Sequence, residues 1–433
     1  MARSVAYVAD RVLPDAPPPS SSIGPVHWLR ENLFSTPLNA AMTLLGLGLI
    51  LWFVPGVIQW AVLHAVWNAS SLSECREIIT AAHGEGARGA CLAVIRERFP
   101  QLIYGFYPVE ERWRVNVTAM GLIAALVPLL YPDMRNLVRI AAAVVGVKLV
   151  WTIWAVASGA DDVLSALGPT AIVMAVAGGL AWVFGGPEHR RWWFLYASLF
   201  PVIAYFLLWG GILGLEPVTS RQFGGFLLTF VIGVIGIGAS LPIGILLALG
   251  RQSNLLFIRT LCVGFIEFIR GVPLITLLFV ASTLLNYFLP PGTNFDLILR
   301  VLIMVTLFAS AYMAEVIRGG LAALPKGQYE AADAMGLTYW QSMRLVILPQ
   351  ALKISIPGIV NTFIGLFKDT TLVSVIGLLD PLGLTKPIRA DTNWNGIVWE
   401  LYGFVAVTFF VFCWGMSRYS MQLERRLRAG DRR

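Results

Sequence analysis

The 433-residue chain carries a net charge of +7, is 57% hydrophobic and only 13% charged, and its mean hydropathy is +0.72. So little charge cannot cover the surface of a water-soluble fold of this size, so a soluble domain is excluded and membrane spans are expected. The positive balance then belongs to basic loops at one membrane face rather than to a nucleic-acid surface.

The chain begins with a Pro- and Ser-rich stretch, Pro14 to Pro25, which reads as a disordered tail. The first apolar run starts only near Ala40, which does not fit a cleavable signal peptide. Crossing about 30 Å of hydrocarbon takes about 20 apolar residues in a helix. By that criterion about ten spans are predicted. They lie at 41–66, 116–131, 139–158, 168–185, 193–213, 224–250, 263–289, 297–318, 355–377 and 397–418. The expected fold class is an all-α integral membrane protein with about ten transmembrane helices.

The connections test this plan. Alternate loops carry Arg135 with Arg139, Arg190 with Arg191, Arg251 with Arg259, and a basic segment from Arg318 through Lys326 and Arg344 to Lys353. The C-terminal tail adds Arg425, Arg426, Arg428, Arg432 and Arg433. The opposite set holds Asp161, Asp162, Glu216 and the turn Pro290-Pro291-Gly292. Positive charge marks the cytoplasmic side, so both termini are expected there and the number of spans is even.

One loop on the other side is long, from about Trp67 to Arg114, and holds Cys75 and Cys91. In an oxidising compartment these two can close a short loop, a stabilisation of about 3 kcal/mol. Two free thiols are the alternative. Cys262 and Cys413 lie in apolar stretches and read as packing residues. Neither CxxC nor HxxxH spacing occurs, so no metal site is expected.

No catalytic constellation stands out, and no enzymatic activity is expected. A Walker A loop needs Gly-Lys-Ser/Thr, and the chain has no Gly-Lys pair. The chain therefore needs no cofactor of its own, and any ATP and Mg it uses must be bound by a separate subunit.

The segment from Leu324 to Pro349 is the most informative. Pro325 suits a first helical turn, Gln328 to Met335 favours helix, and Gly336 can take the left-handed conformation that ends one. A second helix is expected from Thr338, as cap, to about Leu348, with a break imposed by Pro349. The result is a helical elbow along the membrane surface. Ala331, Ala332 and Ala334 leave a face without bulk on which another protein's groove can close. An ordinary amphipathic connector explains the same pattern.

Glu330-Ala331-Ala332, then Gly336, then Leu348-Pro349 resembles the EAA loop of ABC importer permeases. Val346 stands where that family places Ile. Glu267-Phe-Ile-Arg270-Gly-Val-Pro273 resembles that family's second-span segment, and Glu315-Val-Ile-Arg318-Gly-Gly320, Lys326-Gly-Gln328 and Leu366-Phe-Lys368-Asp369-Thr-Thr-Leu372 are similar to its polar amino-acid branch. Phe367 and Thr371 depart slightly from it. Trp28-Leu-Arg-Glu-Asn-Leu-Phe34, the two loop cysteines and Tyr107-Pro108…Arg112-Trp113-Arg114 resemble the M subunit of the bacterial general L-amino acid transporter.

The resemblance implies an ABC type I importer permease core of about five helices in the C-terminal half. It implies a bacterial inner-membrane location. Through Glu330, Ala331, Ala332, Gly336, Leu348 and Pro349 the chain would couple to an ABC ATPase dimer. The other implied partners are a homologous second permease, a periplasmic amino-acid-binding protein and membrane lipids; no nucleic acid is implied. The domain plan is a tail at 1–38, a first span at 39–66, a periplasmic loop at 67–115 and accessory helices at 116–222. A permease core follows at 223–420, with the coupling loop at 319–350, and then a basic tail at 421–433.

Charges inside spans are costly and become functional candidates. Arg270, Glu315, Arg318, Asn361, Lys368 and Asp369 are the candidates for a substrate path. Arg270 or Lys368 can meet an amino acid's carboxylate, and Glu315 or Asp369 its ammonium. Glu315 and Arg318, three residues apart, can instead simply pair, and Lys368 and Asp369 can pair with a partner subunit. Lys148 fits snorkelling or internal pairing. An ion-gradient-driven secondary transporter, or an ABC permease for another small polar cargo, remains the competing function.

Overall fold

The structure, a computed structural model, describes residues 24–130, 190–211, 214–284, 287 and 295–430. The expected spans 139–158 and 168–185 lie outside the described residues, with Arg135, Arg139, Lys148, Asp161 and Asp162. So do the turn Pro290-Pro291-Gly292, Arg432, Arg433 and the tail before Gly24. Among the described residues the regular elements are all helical, apart from two isolated bridges, Val66 with Cys91 and Gly224 with Leu379. The chain separates into two units, 1–93 and 94–433.

The first unit holds α1 (Pro25–Asn32), α2 (Pro37–Ile58) and α3 (Leu72–His83). The Thr36 hydroxyl caps α2 by accepting the Asn39 N–H at 3.1 Å, and Pro37 occupies a first-turn position where its missing donor costs nothing. With the wide turn Gln59–Leu63, α2 forms an apolar stretch of 27 residues, long enough to cross a membrane. None of the α2 residues is buried among the described residues, which suits a span solvated by acyl chains. Cys75 of α3 is joined to Cys91 by a disulfide with the Cα atoms 5.9 Å apart. His64 stacks on His83 with ring centroids 3.8 Å apart.

The second unit opens one residue into α4 (Ala93–Tyr104) and continues with α5 (Arg112–Leu130) and α6 (Arg190–Trp209). Next come α7 (Gly225–Arg251), α8 (Leu256–Gly271) and α9 (Leu274–Phe279), the last extended by a wide turn, Val280–Leu284. Then come α10 (Leu297–Ala322), α11 (Lys326–Ala334), α12 (Tyr339–Ser342), α13 (Leu348–Asp369), α14 (Pro381–Ala390) and α15 (Trp399–Gly430). Asp296 caps α10 by accepting the Ile298 N–H at 2.9 Å and the Ser220 hydroxyl.

Two buried clusters hold α7, α10 and α13 together. One joins Leu228 and Ile232 of α7 to Ile298, Val301 and Val305 of α10 and to Leu366 of α13. The other joins Ala248, Ile266, Met313, Ile317, Ile347 and Ala351. The α7–α10 contact is so close that a Cβ on Gly244 would stand 2.7 Å from the Met313 side chain. Small residues allow such approach where no hydrophobic drive exists between helices in lipid.

Five described helices are long and apolar enough to cross a membrane, six if a bent pair counts as one span. That pair corrects the expected single span at 263–289. Leu256–Gly271 and Leu274–Leu284 meet at 100°. Pro273 cannot donate a hydrogen bond and pushes Val272 into extended backbone, φ −103° and ψ 130°. The opposite correction falls at Pro349, where the expected break does not occur. Helix runs without interruption from Tyr339 to Ile376. A wide turn at Met343–Ile347, in which the Leu348 N–H reaches the Met343 carbonyl, makes room for the ring. The expected tail at 421–433 is likewise helical to Gly430 as part of α15.

Candidate functional site

The elbow is built as the sequence suggests at its turn and differently at its face. The Gly336 N–H closes on the Asp333 carbonyl at 2.9 Å, and Leu337 on Ala332 at 3.2 Å. Gly336 takes φ +72°, the left-handed conformation that side chains resist. Thr338 and Gln341 form a capping box at the start of α12, with Thr338 N–H to Gln341 Oε1 at 2.9 Å.

Glu330, Ala331 and Ala334 are exposed, whereas Ala332 is fully buried. The expected alanine face is therefore split, because α11 turns Ala332 inward. Leu348 is half-buried and Pro349 exposed. Gln350 donates to Gln328 Oε1 at 3.0 Å and so fastens α11 to the first turn of α13. Met335, Tyr339, Trp340 and Leu345 are all more than half exposed. Sequence reasoning passed over this apolar group, although adjacent aromatics in a polar loop were a visible signal.

At the same end of α10, five charges meet. Glu315 Oε1 accepts from Arg251 at 2.6 Å. Glu315 Oε2 lies 3.1 Å from Arg318 and 3.6 Å from Arg270. Arg251 also reaches Glu267 at 2.9 Å, and Arg270 lies over the Tyr312 ring at 5.6 Å. The expected pairing of Glu315 with Arg318 is present, as part of a larger network that Arg251 and Glu267 complete. Those two were missed because they stand 64 and 48 residues from Glu315 in sequence.

Asn361 and Lys368 are exposed on α13, and Asp369 is half-buried at its end. Asn361 and Lys368 are seven residues apart and share a helix face. Beyond them, Asp380 caps α14 by accepting the Leu382 and Gly383 N–H groups at 3.1 and 2.9 Å. It is fully buried, and burial pushes its carboxyl up to about 6 against the pull of those donors. Arg98 of α4 pairs with Asp391 at 2.6 Å.

The motif Tyr107…Arg112-Trp113-Arg114 fastens α5 to the elements around it. The Tyr107 hydroxyl donates to the Leu208 carbonyl at 2.8 Å, and its ring meets Phe223 edge-on. Buried Arg114 pairs with Glu111 at 2.6 Å and donates to the Glu216 carbonyl at 2.7 Å. Among the described residues no group of three metal-ligating side chains occurs.

A family model described as "Binding-protein-dependent transport system inner membrane component" matches residues 240–428, which include the network, the elbow, α13 and most of α15. The whole chain is similar to the glutamate/glutamine/aspartate/asparagine transport system permease protein BztC of Rhodobacter capsulatus, with 53% identity over 98% of this chain and 99% of that one. It is also similar to the inner membrane amino-acid ABC transporter permease protein YhdY of Escherichia coli, with 40% identity over 96% and 97%. The chain belongs to the amino-acid ABC transporter permeases. The permease is similar as well to a solved amino acid ABC transporter chain, with 32% identity over 46% of this chain and 91% of that one, at a TM-score of 0.42. It is accordingly a multi-pass inner-membrane subunit of an ATP-driven transport assembly. Its own part is that of the permease, and the ATPase is a separate subunit.

Proposed function

We propose that this permease forms one half of the membrane path of an importer for L-amino acids and takes its motion from an ATPase through the elbow. The observation that carries this reading is the elbow itself. Gln328 and Gln350 fasten its base, Gly336 sets its turn, and Ala331, Tyr339 and Trp340 are offered outward. A rigid, exposed surface of small and aromatic residues suits docking into another protein's groove.

In this reading the elbow and both termini are cytoplasmic, in keeping with Arg344, Arg425 and Arg426 at that side. ATP and Mg are bound by an ATPase dimer. A homologous second permease completes the path, and a periplasmic binding protein delivers the cargo. The names of BztC and YhdY point to amino acids as that cargo. Arg270, Glu315 and Arg318 are turned on one another. The path is therefore assigned to Asn361, Lys368 and Asp369, with Lys368 meeting the carboxylate and Asp369 the ammonium.

The test uses the complete assembly in proteoliposomes with L-glutamine and L-glutamate. Ala331→Cys is expected to crosslink to the ATPase. Gly336→Pro is expected to abolish ATP-dependent uptake while the protein still inserts. Uptake that follows a proton gradient and ignores internal ATP would establish an ion-driven carrier instead.

A further inference from the structure

The geometry assigns Glu315 a role as a positioning residue, the joint through which movement of the elbow reaches the bend between α8 and α9. This inference rests on the coupling role proposed for the elbow.

Glu315 lies on α10 two turns before its end, and α10 runs straight into Leu324-Pro325 and the elbow. Leu324 is itself buried in the cluster that holds Met313 and Ile317, so α11 cannot shift without levering this end of α10. There the Glu315 carboxylate is shared among three helices. Arg318 belongs to α10. Arg251 is the last residue of α7, where the helix's terminal carbonyls favour a cation. Arg270 belongs to the last turn of α8, immediately before Gly271, Val272 and Pro273. The 100° bend follows directly.

Arg270 is held to α10 twice, by Glu315 and by the Tyr312 ring one turn earlier. The Arg270–Glu315 contact, at 3.6 Å, is the longest Glu315 makes in the network, whereas Arg251 stands at 2.6 Å. Rotation of α10 therefore strains the Arg270 contact first. The arrangement anchors α7 firmly, lets α8 move, and transmits that movement to the residues that set the bend. A purely static lock would use the same charges, but its loss would lower stability and leave the coupling of ATP to uptake intact.

The experiment reconstitutes both permeases, the ATPase dimer and the binding protein, and reads amino acid imported per ATP hydrolysed, with L-glutamine and L-glutamate as probes. Glu315→Gln and Arg270→Gln are each expected to lower that ratio about tenfold, with ATPase activity within about twofold of wild type. The double variant is expected to be no worse than either single one, since both break one joint. Tyr312→Leu keeps every charge and is expected to lower the ratio about threefold, which carries the test if a charge variant fails to insert. An unchanged ratio, additive losses, or parallel loss of ATPase activity, uptake and thermal midpoint would each overturn the assignment. If the Ala331→Cys crosslink persists in these variants, the failure belongs to this inference alone. If it is missing in the otherwise wild-type assembly, the coupling role fails first.

Discussion

Two residues with opposite visibility in the sequence govern the local chemistry. Gly336 was legible, since a glycine closing a run of helix formers signals a left-handed turn, and its φ is +72°. A Cβ there meets open space, so the cost of substitution is conformational alone. Gly336→Ala is expected to destabilise by about 1–2 kcal/mol and Gly336→Asn by less, read from thermal unfolding in detergent. Asp380 was not legible, because nothing in Leu-Asp-Pro-Leu tells a buried cap from an exposed one. Unfolded, it releases its proton near 3.9; folded, near about 6. Between those values the folded state holds more protons, so its contribution is full below about pH 4 and is lost as pH rises through about 6. The slope in melting midpoint over that window, worth at most about 3 kcal/mol, is expected to flatten in Asp380→Asn.

At the scale of elements, prolines mark sites of possible disruption without saying whether it occurs. Pro273 breaks a helix and Pro349 does not, although both stand in apolar sequence. The difference lies in the neighbours. A wide turn frees space for the Pro349 ring and buries Met343 and Ile347 in the core, whereas the chain at Val272 turns away. The tie of α5 to its surroundings follows the same logic. Arg114 is 1% exposed and its carboxylate partner is Glu111, one turn away. Glu111→Gln leaves that guanidinium buried without a counter-charge. It is expected to cost about 3–5 kcal/mol, visible as earlier proteolysis and a lower melting midpoint of the 94–130 region.

At the scale of the whole molecule, the described residues leave polar groups exposed within a candidate span. Lys368 is exposed on a helix whose other faces are packed, and Asn361 shares its side. An ammonium is costly in hydrocarbon, and in the proposed path the cargo's carboxylate is what meets it. Lys368→Met is expected to raise the KM for uptake about tenfold with ATPase activity unchanged, since a charge-assisted hydrogen bond to the cargo's carboxylate is worth about 1.5–3 kcal/mol. Substrate-independent loss of both activities would show instead that Lys368 holds the assembly together. The elbow, α10 and α13 were readable because their signals are local: a glycine, a cap, a run of apolar residues. The charge network was readable only in its i,i+3 pair.

Composition alone determined that this chain lives in lipid, because 13% charge cannot clothe a protein of 433 residues in water. Local pattern determined most helices and the turn at Gly336, because hydrogen bonding within a helix depends on residues a turn apart. Tertiary structure alone decided which prolines break a span, which alanine of the elbow faces inward, and that Glu315 serves three arginines rather than one. Those outcomes depend on groups many residues apart brought within about 3–4 Å, and electrostatics and packing act on distance in space, not along the chain.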